Sequence, residues 1–396
     1  MARPVLSAST STRQRRSTRI WRPGILTTTP PIERAATRLS IDLDALTQNW
    51  RNLKARGNGA DCAGIVKANA YGLGVERVAP ALWNTGCRRF FTANPDGAST
   101  VRQLLPDAEV FVLNGLLGEP EVYVEEGLTP VLNDLGQVER WTACARSLGR
   151  RLPAILQADT GMMRLGLPPA EIDHLQNHPE LCGNLDIRFV MSHLANADAP
   201  DDPSNARQLE AFRAVRTQLP SAPASLANSS GIFLGRDYHF DLLRPGYAVY
   251  GGNPTPGRGN PMEPVIRLSA QIIQIRDAEP GQTVGYGGHH TIKSSTRVAT
   301  IPLGYADGYR RTLGDRAVAS IDGAEIPVVG RVSMDLVTLD IGALPVEKAH
   351  VGTWVDLIWG NTMLDDLAMQ AGTIGYELLT ALGGRSPRHY RGGDIS

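Results

Sequence analysis

Eight short apolar runs recur between residues 62 and 243, and most are separated by stretches with helical periodicity. The runs are 62–66, 90–92, 109–113, 130–132, 153–156, 187–191, 224–227 and 240–243, with helix-like stretches such as 96–105, 136–148 and 205–219 between them. Strand and helix signals in alternation predict a parallel sheet, because parallel neighbours need a long crossover connection. Eight strands in roughly 200 residues fit a closed (β/α)8 barrel better than an open sheet. The last unit is the shortest, since 228–239 leaves little room for a normal helix.

A different architecture follows the last run. Glycines and prolines cluster over 251–264, a composition that separates domains. Beyond it, 265–276, 297–302, 317–321, 326–332 and 354–359 read as strands, with turns such as Pro280-Gly281 and Asp322-Gly323 between several of them. Short helices are predicted at 362–371 and 373–382. The fold class is α/β, with a (β/α)8 TIM-like barrel over 38–252 and a mostly β C-terminal domain over 253–396. Leu43, Leu46, Trp50 and Leu53 form the apolar stripe of an opening helix. Residues 1–37 hold six arginines up to position 31, many Ser and Thr, and no acid before Glu33. They read as a disordered extension rather than a transit peptide.

Lys+Arg and Asp+Glu are both 40, so the chain has no general attraction to nucleic acid or anionic lipid. No apolar stretch approaches the ~18 residues of a membrane-spanning helix. Cys62, Cys87, Cys144 and Cys182 are dispersed and form no CxxC pair. That pattern predicts a reducing cytoplasm, with neither a disulfide scaffold nor a zinc site. His174 and His178 have a ligand-like spacing without a surrounding metal motif, and read as surface residues.

In a barrel the chemistry gathers at the C-terminal ends of the strands. The polar residues that follow the runs are Lys67, then Asp159 and Arg164, then His193, then Asn228 and Ser229, then Arg244 and Gly246. An amine, two guanidiniums, an imidazole and hydroxyls around one mouth suit an anionic, phosphate-bearing ligand and carbonyl chemistry. Only four of the 40 cations are lysines, so an amine nucleophile has few candidates. Lys67 ends an apolar strand against small residues, where desolvation lowers an amine's pKa.

Val66-Lys67-Ala-Asn-Ala-Tyr71-Gly resembles the cofactor-lysine signature of the alanine racemases, which use pyridoxal 5′-phosphate (PLP) on a fold-type III barrel. Asp159-Thr-Gly-Met-Met-Arg164, Met191-Ser-His193-Leu-Ala-Asn-Ala-Asp198, Leu226-Ala-Asn228-Ser229 and Leu243-Arg244-Pro-Gly246-Tyr247 resemble later barrel motifs of that family. Val284-Gly-Tyr286-Gly, Leu303-Gly-Tyr305, Gly330-Arg-Val-Ser-Met334 and Ile374-Gly-Tyr376-Glu377 follow in family order. The resemblance runs from about residue 38 to 388.

The resemblance implies that Lys67 holds PLP through its amine and then acts as the base on the D-alanine side. Tyr286, from the partner subunit of a homodimer with shared active sites, would act on the L-alanine side, with His193 as its hydrogen-bonding helper. Arg244 would face the pyridine nitrogen, where a permanent donor disfavours transamination. Tyr71, Ser229, Tyr376 and the backbone at Gly246 and Tyr247 would bind the phosphate. Arg164 would lie near the PLP phenolic oxygen and the substrate carboxylate. Tyr305 and Met334 would narrow the pocket from the second subunit. The product D-alanine would serve peptidoglycan synthesis, although catabolism uses the same chemistry.

Two departures stand out. Gln157 occupies the position at which many members carry a carbamylated lysine, and it is expected to orient Arg164 by hydrogen bonding. No bicarbonate dependence is then expected, with a small bound anion as a possible substitute. Leu73 replaces a frequent histidine, with only a packing difference expected. Competing readings are a racemase of the same fold acting on serine, lysine or several amino acids, and a non-catalytic PLP-binding protein. Tyr286 and Tyr376 favour a small substrate side chain, and the second domain with Tyr286 counts against a carrier.

Overall fold

The structure, a computed structural model, describes residues 35–360 and 363–393. The expected disordered extension lies outside the described residues up to position 34. Its last member does not: Thr37 begins a strand, Thr37–Asp42.

Each of the eight apolar runs contributes to the barrel. Seven parallel strands lie side by side in chain order: Gly64–Ile65, Arg89–Thr92, Glu109–Val112, Thr129–Leu132, Leu152–Gln157, Leu185–Met191 and Ala224–Ser225. The ring closes through the split first strand, whose earlier half Asp61–Cys62 pairs in parallel with the eighth strand, Leu242–Leu243. On the other side of the eighth strand, Asp241 N donates to Ala224 O (3.0 Å) and Arg244 N donates to Ala227 O (3.0 Å). Thr129–Leu132 is buried along its whole length, as a strand with the barrel interior on one side and helices on the other must be.

Several crossover helices start on proline, at Pro95, Pro120, Pro169 and Pro203. Proline's missing N–H costs nothing in the first helical turn, so these residues set where the helices begin. The short seventh crossover forms two 3-10 turns, Gly231–Phe233 and Arg236–Tyr238, instead of a helix. Asp61, Arg89 and Glu109, each the first residue of its strand, form a chain of ion pairs that extends to Arg188 within the strand Leu185–Met191.

The second domain is built mainly on a six-stranded sheet. Its order is Ala324–Pro327, Val318–Ile321, Trp354–Ile358, Ile266–Gln271, Thr37–Asp42 and Arg388–Arg391. The expected barrel boundary at 38 therefore needs correction. Thr37–Asp42 pairs antiparallel with Ile266–Gln271 and parallel with Arg388–Arg391, so it belongs to the second domain's sheet. Leu39 and Ile41 turn inward with no exposure, and that burial outweighs proximity in sequence. The run expected as one strand over 265–276 breaks at Ile272 and Ile273. Its second part, Gln274–Ala278, joins a separate three-stranded sheet with Thr296–Ile301 and Val337–Asp340. Helices Met363–Ala371 and Gly375–Ala381 follow. A continuous apolar cluster runs from the barrel into the six-stranded sheet, so the two domains share a core.

Candidate active site

The eight strand ends surround a cavity of about 340 Å³ lined by Lys67, Tyr71, Arg164, His193, Ser229, Arg244, Gly246, Tyr247 and Tyr376. The structure thus brings together nine of the twelve residues to which the resemblance gives a role in the site.

Lys67 opens a turn of unusual hand. Ala68, Asn69, Ala70 and Tyr71 all have φ between 52° and 55°, the left-handed helical region. For residues with a Cβ this costs roughly 1–2 kcal/mol each, so tertiary contacts must hold the turn in place. Asn69 Oδ1 accepts from Val75 N (2.8 Å). Gly72 O accepts from the Arg388 guanidinium (2.7 Å), and Leu73 O accepts from the Tyr390 hydroxyl (2.7 Å). Leu73 itself is fully buried, in keeping with a packing role. Tyr71 stacks on Tyr250 at 4.5 Å, and Tyr250 donates to Ile65 O (2.8 Å).

Lys67 is reached by solvent along the cavity wall, yet its pKa is lowered, first by desolvation of the ammonium and second by the Arg164 charge. His193 is pushed down to about 3, mainly by burial and then by Arg244, Arg164 and Lys67. The imidazole is therefore neutral at ordinary pH. Arg244 is almost completely buried, and burial lowers it only to about 10, which leaves it protonated at neutrality. Its guanidinium donates to Ser192 O (2.6 Å) and to the Ser225 hydroxyl. Ser192 and Ser225 were not among the residues singled out in the sequence. Each sits one position from a strand-end motif residue, a placement that was visible, but only the fold shows that both face Arg244.

A cradle for an oxyanion lies in the same cavity as the lysine. Ser229 Oγ accepts from Gly246 N (3.0 Å) and Ala248 N (3.2 Å), gathering a hydroxyl and two amides at one point. A methyl group on Gly246 would lie 2.1 Å from the Tyr71 hydroxyl, so only glycine fits there. Tyr376 stacks on Tyr247 at 4.0 Å, and its pKa is raised to about 12 by burial first and then by Asp198 and Asp365. An amine, a permanent donor and this cradle form the donor set that PLP requires, so the residues present fit the cofactor.

Gln157 calls for a correction. It is buried at the end of its strand, but its amide donates to Leu165 O (3.1 Å) rather than to the Arg164 side chain. It therefore fixes the backbone beside Arg164. Asp159 caps the same loop, accepting from the amides of Gly161, Met162 and Met163.

Tyr286, Tyr305 and Met334 do not join this cavity. They are 73%, 42% and 54% exposed, on neighbouring segments of the second domain. Tyr305 N donates to Ser333 O (3.0 Å), and a Cβ on Gly330 would lie 2.9 Å from Val284 O. His174 and His178 are exposed, with ring centres 4.4 Å apart. Among the described residues no group of three or more His, Cys, Asp or Glu could hold a metal ion, and no helix is long and apolar enough to cross a membrane.

Comparison with known proteins adds an independent line. Residues 41–254 match the family described as the alanine racemase N-terminal domain, and 265–390 match the alanine racemase C-terminal domain. An alanine racemase of Methylobacterium nodulans is 49% identical over 354 residues, covering 89% of this chain and 95% of the relative. A catabolic alanine racemase of Mesorhizobium japonicum is 48% identical over 368 residues, covering 92% and 96%. The crystal structure of alanine racemase from Bartonella henselae with covalently bound pyridoxal phosphate superposes with a TM-score of 0.87 at 38% identity, covering 90% of this chain and all of that one. With both domains matched in order and relatives aligned along nearly their whole length, the chain belongs to the alanine racemase family.

Proposed function

We propose that this protein interconverts L- and D-alanine with PLP held at the barrel mouth, as a cytoplasmic homodimer with shared active sites. The observation that carries the reading is the division of the site. Lys67, His193 and Arg244 converge on one cavity, while Tyr286 is displayed on the outer surface of the second domain. A second copy whose Tyr286 surface meets the mouth would complete it.

When bound, PLP acts as an electron sink that acidifies the substrate Cα–H. Lys67 would hold it, with Tyr71, Ser229, Tyr376 and the Gly246 and Tyr247 backbone around its phosphate. The chain's own residues decide what becomes of the proton. Inverting a centre requires proton removal on one face and delivery on the other, which two bases on opposite faces accomplish. Lys67, with its lowered pKa, serves the D-alanine face. Tyr286 of a second copy serves the L-alanine face, and neutral His193 can accept the tyrosine's O–H. Arg244 stays a donor at neutrality, so it could donate to the pyridine nitrogen of a bound cofactor but could take no proton from it. Arg164, on the loop braced by Gln157 and Asp159, binds the substrate carboxylate. Tyr305 and Met334 of the second copy narrow the space left for a side chain.

Purified, PLP-loaded protein incubated with L-alanine in D2O should reach a 1:1 enantiomer mixture with deuterium at Cα. Tyr286→Phe should cripple this exchange more than Tyr305→Phe. PLP binding by a confirmed dimer with no exchange on alanine, serine or lysine would instead establish a carrier.

A further inference from the structure

Tyr247 enters the cradle through its backbone, but its side chain leads away from the cavity. The ring lies in a slot between two glycines. A Cβ on Gly252 would come within 2.0 Å of the ring, and one on Gly375 within 1.6 Å of the phenol oxygen. The phenol donates to Asp365 Oδ1 (2.7 Å), on the helix Met363–Ala371 of the second domain. The other carboxylate oxygen accepts from Asn253 N (3.0 Å), at the start of the linker between domains. One face of the ring stacks on Tyr376 at 4.0 Å with an interplanar angle of 15°. A single side chain thus joins the last barrel loop, the linker, a helix of the second domain and the tyrosine that forms the cavity wall.

This arrangement is more specific than packing demands. An apolar side chain could fill the slot without requiring a carboxylate at Asp365, and burying that carboxylate raises its pKa. What the polar pair adds is a fixed position for the ring. Tyr376 is 41% exposed, and among the described residues Tyr247 is the one ring stacked flat against it. Its other aromatic neighbour, Tyr71, is tilted and 6.3 Å away.

We infer that Tyr247 and Asp365 form an interdomain latch that positions Tyr376, and through it sets the room available to the substrate side chain. The latch is a specificity-determining pair for the racemase reading, on which the inference rests. Neither side chain need touch the reacting atoms.

The test uses the full-length holoenzyme as wild type, Tyr247→Phe, Asp365→Ala, the double variant and Asp365→Asn. Two readouts are taken: the ratio of kcat/KM for L-alanine to that for L-serine, and the thermal midpoint. Tyr247→Phe and Asp365→Ala should each lower the ratio by about threefold or more, because a displaced wall admits the extra hydroxyl. The double variant should be no worse than the worse single in either readout, as expected for two residues acting as one unit. Asp365→Asn keeps an acceptor for the phenol but loses the one that meets Asn253 N, so it should lower the ratio less than Asp365→Ala does. Additive thermal shifts, or equal losses on both substrates, would overturn the latch. Wild-type holoenzyme that racemises neither substrate would instead defeat the racemase reading, and the thermal cycle would still decide whether the pair is coupled.

Discussion

His290 Nδ1 lies 2.9 Å from Asp315 Oδ1, and the same carboxylate oxygen accepts from Gly330 N at 2.6 Å. The first contact is to the hairpin of Thr283–Val284 and His290–Thr291, whose loop carries Tyr286, and the second is to the segment that leads to Met334. One carboxylate therefore ties together two of the residues the second domain would offer to a partner. Asp315→Ala should lower kcat by about tenfold or more without changing the oligomeric state, because a small misplacement of a base is costly. Asp315→Asn, which retains the acceptor, should lose much less. The primary isotope effect with Cα-deuterated L-alanine should rise in Asp315→Ala, since the proton transfer assigned to Tyr286 becomes slower.

The 2.1 Å approach of a Gly246 methyl to the Tyr71 hydroxyl leaves nothing to give way except the cradle itself. Gly246→Ala should weaken PLP binding by at least about tenfold, equivalent to about 1.4 kcal/mol. Absorbance titration of the cofactor-free variant measures this directly, and the thermal midpoint of that form should change little.

An unfolded histidine titrates near 6.5, whereas folded His193 stays neutral down to about 3. Between those values the unfolded chain binds the extra proton. The depressed folded pKa therefore contributes stability that is present above pH ~6.5 and lost as pH falls towards 3. In the cofactor-free protein, His193→Gln should flatten the decline of the thermal midpoint between pH 6.5 and 4. An unchanged acid limb would show that His193 titrates normally.

Gln157 is an amide and cannot be carbamylated, so purging bicarbonate should leave the rate unchanged. Its tie to Leu165 O gives a second expectation. Gln157→Ala should release the loop beside Arg164 and raise KM for alanine several-fold, with a smaller effect on kcat. Steady-state kinetics with and without added bicarbonate test both points.

The barrel was readable because its signal is local. Each strand is an apolar run that needs only the residues beside it to be recognised, and Pro95, Pro120, Pro169 and Pro203 mark helix starts. Thr37–Asp42 was missed for the opposite reason. Its two ladders, to Ile266–Gln271 and Arg388–Arg391, lie far along the chain, and an alternation of six residues beside a strong helix says nothing about partners.

In the site, the motif residues were found through resemblance, and the cavity gathers nine of them. The residues that support them were not found. Ser192, Ser225 and Asp365 act through single contacts to Arg244 and Tyr247, and no local pattern announces such a partner. The left-handed turn at 68–71 was equally hidden, because alanine and tyrosine are poor markers of positive φ.

That turn carries a consequence for how the protein is made. The Gly72 and Leu73 carbonyls are held by Arg388 and Tyr390, partners 316 and 317 positions further along the chain. A ribosome that has released only the barrel has already synthesised Lys67, but not the strand that braces its perch. The turn that carries Lys67 can therefore gain these two braces only after nearly the whole chain has been made, when Arg388–Arg391 pairs with Thr37–Asp42 and the two distant stretches of chain meet in the same sheet.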